Sequence, residues 1–280
     1  MRLDDKVAIV TGGGMGIGEG IALCLGEEGA DIAILDLNPN AAGRVAEKIK
    51  GFGRKSLAMA ADCTNPADVN QAVQKTLDYF GRIDILVNNV GGEKNVGRSG
   101  DKFVDMTWEE WDDNLKLNLN ATIVTCQAVV PFFVKQKSGK IVNVSSIAGR
   151  PPSGVGDEGR MGGGGALLMP YSVAKAGIIQ FTRALALHLA ADNINVNCIC
   201  PGTVYTPLFV RGPYVRFQSN PQTSGMDSNE TFEKLISPLV PLKRAQTPED
   251  MGRAVVFFVS EDARNITGQS LNVDGGMRPN

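Results

Sequence analysis

Tyr171 and Lys175 stand four residues apart in Tyr171-Ser172-Val173-Ala174-Lys175, a spacing that puts two side chains on one helix face about a turn from each other. A tyrosine phenol titrates near pH ~10, too high for ready proton exchange at neutral pH, and lowering it by ~3 units takes about 4 kcal/mol. A lysine ammonium ~4 Å away, at an effective dielectric of ~20, supplies about that much. The pair is a candidate acid/base device; the alternative is a half-buried ring beside a solvated surface charge. A second candidate lies near the start of the chain, where Thr11-Gly12-Gly13-Gly14-Met15-Gly16-Ile17-Gly18 separates an apolar run from a helical one. Glycines at such a turn let backbone N–H groups approach a phosphate, and the helix N-terminus favours its charge. The spacing is Gly12-x-x-x-Gly16-x-Gly18 rather than G-x-G-x-x-G, whose last glycine, counted from Gly12, falls on Ile17. A tight turn with no ligand is the bland alternative. Asp36 tips the balance: it ends the second apolar run, 18 residues after Gly18, where a carboxylate can bind a ribose 2′-hydroxyl and repel a 2′-phosphate. Leu37, Asn38 and Pro39 offer no cation to accept that phosphate, so the pattern favours NAD over NADP.

The elements that must position these groups follow a regular rhythm. Val7–Val10, Ile32–Leu35, Leu57–Ala60, Ile83–Val87, Ile141–Val144, Val196–Cys200 and Leu271–Val273 read as short apolar strands separated by helical-period segments. Near-continuous apolar strands alternating with helices imply a parallel sheet covered on both faces. Right-handed crossovers then wind it doubly. The expectation is α/β: a Rossmann-type doubly wound parallel sheet of seven strands in one domain spanning residues 1–280, without linker or internal repeat. Two segments break the rhythm, and long irregular segments in compact domains are usually functional or disordered. One is Pro151–Met169, whose Gly162–Gly165 reads as a hinge rather than a phosphate cradle. The other is Leu208–Val240, a candidate lid with a short helix around Glu230–Ile236.

Composition excludes several classes of function. The chain is 43% hydrophobic and 21% charged with a net charge of −2, which offers no attraction to nucleic acid or anionic membranes. No apolar stretch reads as long enough to span a bilayer. Met1–Lys6 leads straight into the first strand-like run with no secretory signal in view, so the expected location is the cytoplasm. Cys24, Cys63, Cys126, Cys198 and Cys200 lack paired spacing and read as reduced core residues, neither a disulfide framework nor a metal site. The single histidine, His188, sits within Leu185-Ala186-Leu187-His188-Leu189 with no acid or thiol at ligand spacing, and reads as structural. No metal is expected.

Taken in order, the glycine turn, Asp36 and Tyr171-x-x-x-Lys175 resemble the short-chain dehydrogenase/reductase family over nearly the whole chain. Ala61-Asp62-Cys63 is similar to its adenine contact, and Asn88-Asn89-Val90-Gly91 to its NNAG motif, with Val90 where alanine is usual. Asn118 in Leu117-Asn118-Leu119, Pro201-Gly202-Thr203-Val204-x-Thr206 and the ending Thr267-Gly268-Gln269 to Gly276 are also family-like. The resemblance implies an NAD-dependent interconversion of a secondary alcohol and a ketone. It assigns proton exchange to Tyr171, and to Lys175 both lowering of the tyrosine pKa and the nicotinamide ribose. Ser146 takes the hydrogen bond to the reacting oxygen, and Asn118 a water of a proton relay. It implies cofactor contacts at Gly12, Gly14, Met15, Gly16, Ile17, Gly18, Asp36, Leu37, Asp62, Cys63, Asn89, Val90, Gly91, Tyr171, Lys175, Pro201, Gly202, Val204 and Thr206.

Two of these assignments have alternatives. Adjacent residues at a strand end point to opposite faces, so only one of Ser145 and Ser146 should reach the substrate, and the family pattern favours Ser146. Asn118 could instead be a helix side chain bound to neighbouring backbone. The interval of 25 residues between Ser146 and Tyr171 is longer than is common in the family, and the excess falls in Pro151–Met169. Substrate walls are expected from Gly92–Met106, Pro151–Met169 and Leu208–Val240, with Phe103, Met161, Leu167, Leu168, Met169, Tyr205, Phe209, Tyr214 and Phe217 making a partly apolar pocket. Arg211 and Arg216 could hold an anionic substituent or be solvated. The helices around Trp108–Gln136 and Tyr171–Ala191 are more apolar than one sheet face needs. In the family such helices pair between subunits, implying a homotetramer, or failing that a dimer. Two rivals remain: an epimerase or dehydratase using the cofactor transiently, and a non-catalytic nucleotide sensor.

Overall fold

The computed structural model describes residues 1–94, 102–151, 168–218 and 221–278, apart from the Arg216 side chain. Seven strands form one parallel sheet: β1 (Val7–Thr11), β2 (Asp31–Asp36), β3 (Ser56–Ala60), β4 (Ile85–Asn88), β5 (Gly139–Val144), β6 (Ile194–Pro201) and β7 (Ser270–Val273). Their spatial order is β3-β2-β1-β4-β5-β6-β7. Every residue of β1 and β6 is buried, as expected where helices cover both faces of a parallel sheet. The period of two divides each strand between two cores. Ala8, Val10, Ile32 and Ile34 pack on one face, and Ile9, Ala33 and Leu35 on the other.

Helices α1 (Gly16–Glu27), α2 (Pro39–Gly51) and α3 (Pro66–Phe80) follow the first three strands. Local chemistry starts two of them sharply. Asn38 and Asn65 accept N–H groups of their own first turns, and each is followed by proline at the first helical position, where a missing N–H costs nothing. After β4 comes a continuous helical run: α4 (Trp108–Asn114), a wider π-type segment at Leu115–Asn120, and α5 (Ala121–Gln136). Helix α6 (Met169–Leu189) precedes β6. Short helices α7 (Pro207–Arg211), α8 (Pro213–Phe217) and α9 (Ser228–Leu235) lie between β6 and α10 (Pro248–Val259).

Three readings from sequence change. Strand β4 starts at Ile85, because the Asp84 carboxylate takes the Val7 N–H at 2.9 Å and the Arg82 guanidinium. The helix expected around Glu230–Ile236 runs Ser228–Leu235, set by a reciprocal cap between Asp227 and Glu230. The run Trp108–Gln136 is, by length and composition, apolar enough to cross a membrane. In the fold, Cys126, Val129 and Phe133 of that run pack into the core beside Ile9 and Ile141. Gly162–Gly165, Met161 and Leu167 lie outside the described residues. The strand order reverses between β1 and β4, which opens a crevice at the carboxyl ends of those strands.

Candidate active site

The glycine turn closes this crevice from below. Gly12 and Gly16 adopt positive φ, 59° and 56°, which L side chains rarely tolerate. A Cβ on Gly18 would fall on the Gly12 carbonyl oxygen, so that position tolerates no side chain. The turn is braced from β4. Asn89 Nδ2 donates to the Thr11 and Gly12 carbonyls at 3.1 and 3.0 Å, and the Asn89 and Val90 N–H groups share the Thr11 hydroxyl. Asp36 ends β2 as a buried residue, 9% exposed, and its carboxylate accepts the Gly14 and Asn38 N–H groups at 2.9 Å each. Both oxygens keep acceptor capacity beyond these bonds.

The acid/base candidates meet at the ends of β5 and α6. The Tyr171 phenol is hydrogen-bonded to Ser146, and the Lys175 ammonium lies 5.6 Å from the Tyr171 ring centroid. The two adjacent serines do face opposite ways. Both line the cleft, but Ser145 Oγ donates to the Lys175 carbonyl at 2.8 Å, fastening α6 to β5, whereas Ser146 is the one bonded to the Tyr171 phenol. Burial pushes the Tyr171 phenol above its ordinary range, the Ser146 hydrogen bond opposes this, and the Glu93 carboxylate adds to the rise. Burial also brings Lys175 down to about 8. The expected lowering of Tyr171 by Lys175 is therefore not met in this arrangement. The ammonium donates to the Val144 carbonyl at 3.0 Å and sits against the ring, not at the phenol oxygen.

Asn118 is fully buried in the π-type segment and does not line the cleft. Its side chain clamps the strand-to-loop exit after β4. Nδ2 donates to the Gly92 and Asn114 carbonyls and Oδ1 accepts the Gly92 N–H, all at 2.9 Å. The sequence alternative of a side chain bound to backbone thus describes what this amide does here.

The cleft holds about 440 Å³ and runs from Asp36, Leu37, Asp62 and Cys63 past Gly12, Met15, Gly16 and Ile17 to Tyr171 and Lys175. Asn89, Val90, Gly91, Pro201, Gly202, Val204 and Thr206 complete its walls. Gly14 and Gly18 are buried behind the turn. The residues fit an extended dinucleotide: N–H groups at a helix start, a buried carboxylate where a ribose would lie, and a long groove between them. Burial raises the Cys63 thiol to about 12, so it lines the groove as an inert group.

The lid divides the expected aromatics. Phe209 and Phe217 line the cleft, while Tyr205 binds Ser228 and Tyr214 binds the Met226 carbonyl within the lid. Phe103 is exposed away from the cleft and Met169 forms the first turn of α6. Glu93, Leu117, Leu208 and Ile236 line the cleft without having been singled out in the sequence. Glu93 lies two residues past the NNAG-like motif, inside the Gly92–Met106 segment expected to supply a wall.

A family model described as enoyl-(acyl carrier protein) reductase matches residues 12–278. The chain belongs to the short-chain dehydrogenase/reductase family. It is 36% identical over 277 residues to the 3-oxoacyl-[acyl-carrier-protein] reductase of Chlamydia pneumoniae, covering 99% of this chain and 98% of that protein. It is 33% identical over 276 residues to the (2S)-[(R)-hydroxy(phenyl)methyl]succinyl-CoA dehydrogenase subunit BbsD of Thauera aromatica, covering 99% and 98%. Among solved structures, NAD+-bound xylitol dehydrogenase superposes with a TM-score of 0.84 at 28% identity, covering 99% of this chain and all of that one. Membership of the family makes the chain an oxidoreductase that uses a nicotinamide dinucleotide on a small molecule.

Proposed function

We propose that this family member is an NAD-dependent oxidoreductase that interconverts a secondary alcohol and a ketone. The observation that carries the reading is the convergence of Ser146, Tyr171 and Lys175 at the end of the cleft whose far end holds Asp36. When bound, the nicotinamide supplies or takes the hydride. The protein's own part is to bind, orient and move a proton. The Tyr171 phenol oxygen exchanges the proton with the substrate oxygen, and the Ser146 hydroxyl donates to that oxygen as charge develops on it. Lys175, which keeps its proton below about pH 8, serves the nicotinamide ribose and the tyrosine.

Asp36 supports NAD over NADP, because a buried carboxylate already fixed by two N–H groups meets a 2′-hydroxyl as an acceptor and a 2′-phosphate as a like charge. The neighbouring cation Arg44 is tied to Glu19 and to the Gly14 carbonyl. Residues 1–280 are read as one domain, with 151–169 as an inserted loop and 208–240 as the substrate lid. Cytoplasmic location and a homotetramer complete the proposal. Support for assembly comes from Trp108, Val173 and Leu187, which stay exposed on the two long helices.

Tyr171→Phe is expected to retain NAD binding and lose nearly all turnover across a panel of secondary alcohols. The same assay on the parent protein is expected to run faster with NAD than with NADP. Substantial residual turnover in the variant overturns the proton-transfer role, and a marked NADP preference overturns the cofactor assignment.

A further inference from the structure

At the Asp36 end of the cleft, a cation stands close to the ribose position and is held by another carboxylate. Arg44, on α2, reaches back over the glycine turn. Its Nη2 donates to the Gly14 carbonyl at 3.0 Å, while the N–H of the same glycine donates to Asp36 at 2.9 Å. A single glycine therefore separates the guanidinium from the carboxylate that would meet the ribose. Glu19, in the first turn of α1, engages that guanidinium. It accepts Arg44 Nη1 at 2.7 Å and Nη2 at 2.9 Å, and it also accepts Lys48 Nζ at 2.8 Å.

Exposed ion pairs usually contribute little. Here the geometry is better than usual: two guanidinium nitrogens meet both carboxylate oxygens, Lys48 adds a third bond, and the Glu19 side chain is only 18% exposed. Bidentate, charge-assisted contacts of this kind are the stronger ones. The bonds from Arg44 and Lys48 hold the Glu19 carboxyl down at about 2, so it stays ionised at every working pH.

We propose that, given the NAD reading above, Glu19 is a second cofactor-selecting residue, which withholds Arg44 from the 2′-phosphate of NADP. A 2′-phosphate can gain the guanidinium only by displacing Glu19. That exchanges one anionic partner for another, so little is gained, and the repulsion from Asp36 remains. NAD makes no such demand, because its 2′-hydroxyl uses Asp36 as an acceptor. Glu19→Gln removes the competing charge while keeping the size of the side chain. The guanidinium then stays beside Gly14 and can take a phosphate in the forked geometry that suits it.

The test measures dissociation constants of NAD and NADP by calorimetry, which needs no substrate. It compares the parent protein, Glu19→Gln and Glu19→Gln/Arg44→Met, with circular dichroism as the check on folding. Glu19→Ala is run in parallel, since it removes the same charge with a strong helix former. The parent is expected to bind NAD more tightly than NADP. Either single variant is expected to shift the affinity ratio toward NADP by about 10-fold, the size of one hydrogen bond gained between charged groups, mainly by tightening NADP. The double variant is expected to return to within about threefold of the parent ratio, because the acceptor cation is gone. An unchanged ratio in the single variants overturns the proposal. So does an equal weakening of both nucleotides, which would make Glu19 a brace of the turn alone. A gain that survives in the double variant also overturns it and passes the phosphate to Lys48. A parent that binds NADP more tightly than NAD overturns the cofactor reading beneath it.

Discussion

Lys175 shows how much a single side chain depends on where the fold carries it. Four residues from a tyrosine it could have been a solvated charge; instead α6 carries it into the core, where it is 3% exposed and donates to the Val144 carbonyl. No carboxylate pairs with it among the described residues. Its folded pKa falls from 10.5 to about 8 because burial disfavours the ammonium. Below that pH the folded and unfolded chains both hold the proton, and the buried charge costs stability. Between about 8 and 10.5 the unfolded chain binds more protons, so stability rises with pH across that window. The full gain is on the order of 3 kcal/mol. Urea denaturation of the cofactor-free protein from pH 7 to 10 should show this rise, and Lys175→Met should lack it. Equal pH slopes in the two proteins would place Lys175 in contact with solvent. The spacing of Tyr171 and Lys175 was legible in the chain. The rise of the phenol, set by burial and by Glu93, was not, because it comes from β5 and from a loop after β4.

At the scale of elements, the π-type segment at Leu115–Asn120 does what a regular helix would not. Wider turns of this kind recur at functional sites, and here one turns Asn118 toward the Gly92 backbone. Removing the amide orphans a buried N–H and a buried carbonyl, each costing about 1–3 kcal/mol. Asn118→Ala is therefore expected to lose about 2–4 kcal/mol of stability and to reduce turnover more than NAD binding, since the freed loop lines the cleft beside Tyr171. Measuring the urea midpoint and the NAD dissociation constant together checks this. Unchanged stability would show that the clamp is dispensable. The sequence marked Asn118 through its family motif, but the partner it binds is 26 residues away, and no local pattern specifies that contact. The lid behaves similarly. Its aromatics were legible as apolar, yet Phe209 and Phe232 stack edge-to-face at 5.0 Å within the lid itself, so part of that apolar surface builds the lid rather than the pocket.

For the whole molecule, the question is what covers the long helices. Only 39% of the most apolar window in Trp108–Gln136 is buried within the chain, and Trp108 and Leu187 are 83% and 82% exposed. Large exposed apolar side chains on long helices fit a helix face that is covered in an assembly. Light scattering after gel filtration is expected to give four copies, and Leu187→Glu is expected to shift the population to smaller species. A parent protein that runs as a monomer would remove the assembly proposal while leaving the site intact.

The sequence by itself determined the doubly wound sheet, the glycine turn, Asp36 and the Tyr171–Lys175 pair. Each is written in short-range periodicity or in fixed spacing, and a strand or one helical turn preserves such spacing wherever the element sits. Only the tertiary structure decided which serine bonds the Tyr171 phenol, what Asn118 holds, and how burial moves Tyr171 and Lys175. Those facts depend on contacts across β4, β5 and α6, and on the exclusion of water that arises only when those elements pack together.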